Sequence, residues 1–153
     1  MIYTQDQIRQ MIAPIAEKYH LKAVFLCGSY ARGDATESSD VDLLAKIISA
    51  ESRGEPYQGQ VAVGAVILNR IEHPSFPNTL AGVIYQPGAF SCLYDGGVNA
   101  AVADSAYRAA RDAINGNDPS GGAVYYYNPA KSTNKWIFSR PVITVIGNHR
   151  FCS

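Results

Sequence analysis

The sequence predicts an α+β fold, with helices first and strands last. Three observations carry this. Apolar residues recur at helical spacing through residues 41–53, 58–72 and 100–115. After Asp118-Pro119-Ser120-Gly121-Gly122 the pattern changes to short β-prone runs, 123–127 (AVYYY) and 142–146 (VITVI). The balance of 47% apolar and 17% charged residues over 153 positions suits one domain, or one domain with an appendage, and argues against disorder.

Residues 4–19 read as an amphipathic helix capped by Thr4, with Ile8, Ile12 and Ile15 at helical spacing and Pro14 bending or dividing it. Residues 22–27 (KAVFLC) read as a buried strand, followed by the Gly/Ser/Asp-rich loop GSYARGDATESSDVDLL. Residues 41–53 read as a helix with Leu44, Ile47, Ile48 and Glu51 on one face, ended by Gly54 and Pro56. Residues 58–72 are apolar nearly all round, which predicts a central buried helix. A short helix follows at 79–85, ended by Gln86-Pro87-Gly88, and then a loop over 89–98. Residues 100–115 form another helix, with Gly116 at its C-terminal cap. Two or three short strands close the chain.

The formal net charge is zero, and it divides into −2 over residues 1–44 and +2 over 45–153. That leaves no electrostatic footprint for DNA or RNA. Cys27, Cys92 and Cys152 are far apart and lack C-x-x-C spacing, so they read as buried thiols rather than a metal cluster or a disulfide. No apolar stretch is long enough to span a bilayer. The N-terminus, MIYTQDQIRQ, lacks a basic segment followed by an apolar run. As written, the chain is expected in the cytoplasm unless it leaves by another route.

Glu51 lies on the apolar stripe of its helix. A carboxylate there is either solvated at the helix end, paired with Arg53 or Arg70, or desolvated. Desolvation disfavours the charged form and raises the pKa. A glycosidic general acid needs that, because it must hold its proton near neutral pH to protonate the leaving oxygen.

The run AKIISAESRGEPYQGQVAVGAVILNRIEHPSFPNTLAGVIYQPGAF, then YYYNPAKSTNKWI and SRPVITVIGNHRFC, resembles the spore-cortex-lytic family of cell wall hydrolases (the SleB/CwlJ type) over residues 43–153. The resemblance implies a lysozyme-like, transglycosylase-related helical domain with a small C-terminal antiparallel sheet. It implies cleavage of peptidoglycan glycan strands at the cell wall or spore cortex, with no cofactor. The first Glu of the family's E-x-R-G-E-P motif, its expected catalytic residue, falls on Glu51.

A retaining or inverting hydrolase needs a second carboxylate across the cleft. Glu55 and Asp95 are the candidates; Glu55 is expected to hold the turn after the helix, and Asp95 to face the cleft or to stabilise its own loop. A lytic transglycosylase needs a single acid, because the substrate's N-acetyl group or 6-hydroxyl acts as nucleophile. Phe90, Tyr125, Tyr126, Tyr127, Asn128 and Trp136 are candidates for a sugar-binding wall, since aromatic faces stack on pyranose rings and Asn can bond an N-acetyl group. Strand alternation sends one Tyr set into the core. Phe90, Tyr126, Asn128 and Trp136 are the residues selected. His149 reads as structural, and His20 and His73 as surface residues.

The front carries a different signature. Gly28-Ser29, ten residues, then Asp40-x-Asp42 resembles the minimal nucleotidyltransferase family. That resemblance implies phosphate binding at Gly28 and Ser29, Mg²⁺ on Asp40 and Asp42, and, in antitoxin-like members, a toxin protein as partner. It ends near residue 44, with no counterpart of the family's third acid. The two resemblances conflict over residues 40–50, which must be strand for the one and helix for the other. In a helix Asp40 and Asp42 are about 200° apart and cannot share a metal from one face. The helix is the expected outcome, with Ser39 as N-cap and Asp42 as a first-turn acid. The division expected is a truncated nucleotidyltransferase-like segment over residues 1–39, read as a helix–strand appendage, and a cell wall hydrolase catalytic domain over 40–153.

Overall fold

The computed structural model describes residues 4–10 and 39–153. At the front, residues 5–10 are helical. The Thr4 hydroxyl accepts from the Gln7 amide at 3.1 Å, and Gln7 Oε1 accepts from the Thr4 amide at 2.8 Å. This reciprocal pair satisfies two amides that a helix start leaves open. Ile8 is buried with the main core. The remainder of the 4–19 helix, the 22–27 strand, Gly28, Ser29, His20 and Cys27 lie outside the described residues.

Helix α1 spans Ser39–Glu51 and settles the conflict over residues 40–50 in favour of helix. Asp40 and Asp42 lie in its first turn, where carboxylates suit the positive end of the helix dipole. Ser39 is the first described residue of this helix. Leu43, Leu44, Ile47 and Ile48 are at most 1% exposed. Each such burial stabilises by about 2 kcal/mol.

Helix α2, Tyr57–Glu72, runs through the middle, with Val61, Ala62, Val63, Val66 and Ile67 buried. It packs on both α1 and helix α5, Asp104–Ile114. Gly64 makes the three-way approach possible. A Cβ there would lie 2.9 Å from Ile48 Cδ1 and 3.2 Å from Ala113 Cβ.

Between α2 and α5 lie α3 (Leu80–Ile84) and α4 (Cys92–Asp95), then a 3₁₀ turn over Gly97–Asn99. The expected loop over 89–98 is therefore partly helical, in pieces too short to show a helical period. The helix expected from residue 100 begins at Asp104 instead, because Ala103 is extended and its amide is directed to Ser49 Oγ at 3.4 Å.

A three-stranded antiparallel sheet follows: β1 (Tyr125–Tyr127), β2 (Val142–Ile146) and β3 (His149–Cys152), in the order β1-β3-β2. A four-residue helix, α6 (Lys135–Phe138), precedes β2; Asn134 caps it, accepting from the Trp136 amide at 3.0 Å. Tyr126 pairs with Phe151 and Tyr125 with Cys152. The sheet face carrying Tyr126 and Phe151 packs on the helical core, while Tyr127, Cys152 and Ile137 form a second small cluster. The tyrosines thus alternate as expected, with Tyr125 and Tyr127 on the α6 side. Neither Cys92 nor Cys152 is in a disulfide; both are buried.

Polar ties hold the sheet to the helices. Asn69 Nδ2 donates to the Ala123 carbonyl at 3.0 Å and to Asp118 at 2.9 Å. Burial pushes the Asp118 carboxyl up, but bonds from Ser120, Asn69 and Gly122 outweigh this and hold it below its ordinary value. At the opposite end, the Glu55 carboxylate accepts from Asn148 N at 2.9 Å and Asn148 Nδ2 at 3.1 Å, gripping the β2–β3 turn. Gly147 in that turn has φ 58°, and a Cβ there would collide with the Glu55 carboxylate.

Candidate active site

Glu51 is the last residue of α1, with its side chain half-buried where the helices meet the sheet. The Tyr126 hydroxyl, carried by β1, donates to Glu51 Oε2 at 2.9 Å. Burial pushes the Glu51 carboxyl above its ordinary value. Hydrogen bonds from Tyr126 and Cys92 and the charge of Arg70 oppose this rise, while the charge of Asp95 adds to it. Burial and the neighbouring carboxylate push the Tyr126 phenol well up, so it stays protonated and remains a donor. Among the described residues, neither Arg53 nor Arg70 comes within ion-pair distance of Glu51. The desolvated alternative is the one the structure adopts.

Tyr126 also lines a groove of about 340 Å³ with Arg70, Phe76, Gln86, Tyr125 and Trp136. Glu51 is not itself a lining residue; its link to the groove is the Tyr126 hydroxyl. Trp136 is 50% exposed and stands edge-on to Tyr125 with ring centroids 5.1 Å apart, and the Arg140 guanidinium carbon lies 5.2 Å from its ring centroid and 5.5 Å from that of Tyr125. A hollow of about 370 Å³ between α2 and α5 is slightly larger, but its Asp118 carboxylate is committed to the 118–122 loop. Chemistry rather than size selects the groove beside Glu51.

Two of the expected wall residues are placed differently. Phe90 is 2% exposed and sits in the core beside the Arg70 guanidinium, so it supports the groove without facing it. Asn128 turns its Oδ1 onto the Ala130 amide at 2.9 Å and shapes the turn after β1. Glu55 is occupied with Asn148, and the exposed Asp95 accepts from the Gly97 amide at 2.8 Å, holding its own loop. His149 is buried against Tyr126, with ring centroids 5.1 Å apart; burial lowers its pKa. His73 accepts from the Ser75 amide at the end of α2.

Arg70, which lines the groove, was expected only as a candidate partner for Glu51. Its signal was a cation on an otherwise apolar helix. Phe76, Gln86 and Cys92 had no comparable signal.

Residues 54–152 match the family model described as Cell Wall Hydrolase. The spore cortex-lytic enzyme of Bacillus cereus is 54% identical over 114 residues, covering 74% of this chain and 44% of that protein. The chain therefore spans less than half the length of that relative. The cell wall hydrolase CwlJ of Bacillus subtilis is 32% identical over 120 residues, covering 74% of this chain and 84% of CwlJ. The solved catalytic domain of the germination-specific lytic transglycosylase SleB from Bacillus anthracis superposes with a TM-score of 0.73 at 50% identity, covering 78% of this chain and 98% of that one. Residues 8–84 also match the nucleotidyltransferase domain model. From Ser39 onward, however, those residues are α1, α2 and α3, and the helix separates Asp40 from Asp42 by about 200°. The chain belongs to the cell wall hydrolase family over its larger part and carries nucleotidyltransferase-family sequence at its front.

Proposed function

We propose that this chain cleaves peptidoglycan glycan strands, with Glu51 as its single catalytic acid. The observation that carries the reading is a half-buried carboxyl, raised in pKa, that accepts from the hydroxyl of Tyr126, a residue lining an aromatic groove. The Glu51 proton passes to the glycosidic oxygen and the bond from that oxygen to C1 breaks. The sugar's 6-hydroxyl then attacks C1 and returns its proton to the Glu51 carboxylate. No water is consumed, and the product is a 1,6-anhydro sugar. Tyr126 donates to whichever charge state Glu51 holds and fixes its direction. The engagement of Glu55 and Asp95 in turns supports this substrate-assisted route over one with a second carboxylate. No cofactor enters the scheme, and the substrate places the site of action at the cell wall or spore cortex. Asp40 and Asp42 take no part in it.

The test is digestion of purified peptidoglycan or spore cortex, with products read by mass spectrometry. Anhydro-muramic ends are expected. Reducing ends would replace the 6-hydroxyl by water in the same site. Equal fragment release by wild type and Glu51→Gln would remove the proposal altogether.

A further inference from the structure

Arg70 is only 9% exposed, yet among the described residues no carboxylate pairs with it. Its Nε donates to the Val124 carbonyl at 2.7 Å. The guanidinium carbon lies 5.2 Å from the centroid of Phe76, 5.6 Å from Tyr125 and 5.7 Å from Phe90. Those ring faces attract the charge, and among the described residues none of these three side chains accepts a hydrogen bond from Arg70 through an oxygen. A guanidinium has five N–H donors in one plane. Among the described residues the bond to Val124 is the only one it makes to an acceptor. The outer nitrogens are not among the buried polar atoms left without a partner, so they reach the open space of the groove with no protein acceptor. Arg70 also lines the groove, beside Tyr125 and Tyr126.

We propose that Arg70 is a substrate-reading residue, whose outer guanidinium nitrogens hold a carbonyl or carboxylate oxygen on a substituent of the bound sugar. The planar fork can give one N–H to a carbonyl oxygen or two to a carboxylate. On a peptidoglycan strand the 2-acetamido group supplies a carbonyl oxygen and the 3-lactyl group a carboxylate. The residue acts by seating the sugar ring, while Glu51 performs the chemistry. This inference rests on the glycan reading of the groove.

The experiment uses the full chain carrying Glu51→Gln, so that binding is measured without turnover. The Arg70 side-chain N–H signals are followed by NMR during three titrations. The ligands are an N-acetylglucosamine oligomer with acetamido groups only, peptide-free glycan strands with both groups, and a fully deacetylated glucosamine oligomer. The Arg70 signal is expected to move with an acylated ligand and to stay still with the deacetylated one. Movement with the N-acetylglucosamine oligomer assigns the acetamido group; movement with the strands alone assigns the lactyl group. Adding Arg70→Met is expected to weaken binding of that acylated ligand by about tenfold or more. The NMR arm stands even if Arg70→Met fails to fold. If the Trp136 indole signal moves while Arg70 stays still, Arg70 does not read the sugar, and the glycan site survives. If no groove signal moves with any ligand, the glycan reading fails and takes this inference with it.

Discussion

Helices α1, α2 and α5 bury nearly every apolar side chain on their inner faces, whereas β2 leaves Val142, Ile143 and Val145 44–59% exposed. The helical part is held by close packing, with Gly64 at the point of nearest approach. The sheet part is held by directed bonds: Asn69 and Arg70 to residues 123 and 124, Glu55 to Asn148, and Tyr126 to Glu51. The difference matters because the site uses one part of each kind. Glu51 and Arg70 come from the helical part, and Tyr125, Tyr126 and Trp136 come from the tethered part. Changes in packing, and in the Glu55 tie to the β2–β3 turn, should therefore act on stability, and changes in the Tyr126 tie should act on the site.

The largest expected effect is on chemistry. Glu51→Gln should lower cleavage of peptidoglycan by about 10²–10⁴-fold, read as the rate of fragment release. The same variant has a stability signature. A carboxyl raised in the folded state costs stability as pH climbs from the ordinary carboxyl range through the raised value. Thermal melts should show Glu51→Gln equal to wild type in acid and more stable at neutral pH. An unchanged difference across pH would mean that Glu51 is not desolvated.

Gly64→Leu should then cost about 1–3 kcal/mol or more, seen as a lower urea midpoint, because no space exists between Ile48 and Ala113. An unchanged midpoint would show that the helical part is not close-packed. Glu55→Ala should cost about 1 kcal/mol by releasing the β2–β3 turn, while most turnover survives. A folded Glu55→Ala protein as inactive as Glu51→Gln would make Glu55 a second catalytic carboxylate and abolish the distinction between tie and acid.

Tyr126→Phe should keep the fold, since its ring still packs on Phe151 and His149. Turnover should fall about tenfold through loss of the donor. Removing a bond that lowers the Glu51 pKa should also move the alkaline limb of the pH–rate profile to higher pH. Movement to lower pH would contradict the hydrogen bond. The smallest effect is expected at the half-exposed Trp136. Trp136→Ala should raise KM several-fold, about 1 kcal/mol, with Tm nearly unchanged.

The α1 helix was legible because Leu44, Ile47, Ile48 and Glu51 recur at helical spacing, and that register placed Glu51 where apolar neighbours desolvate it. The α2 helix was legible from its apolar run. The pieces α4 and α6 were not, because four residues hold no period. Phe90 and Asn128 show the same limit in the site. An aromatic ring and an amide are as suitable for a core or a turn as for a sugar, and composition does not distinguish these uses.

The sequence alone determined the order of helices and strands, the apolar faces and Glu51 as the candidate acid, because these depend on local period and on motif. Only the tertiary structure decided that Tyr126 would donate to Glu51 across 75 positions of chain, that Glu55 would turn to Asn148, and that Arg70 would stand among aromatic rings with no carboxylate paired to it among the described residues. Those outcomes depend on which side chains meet when the sheet closes over the helices, and no local pattern encodes such a meeting.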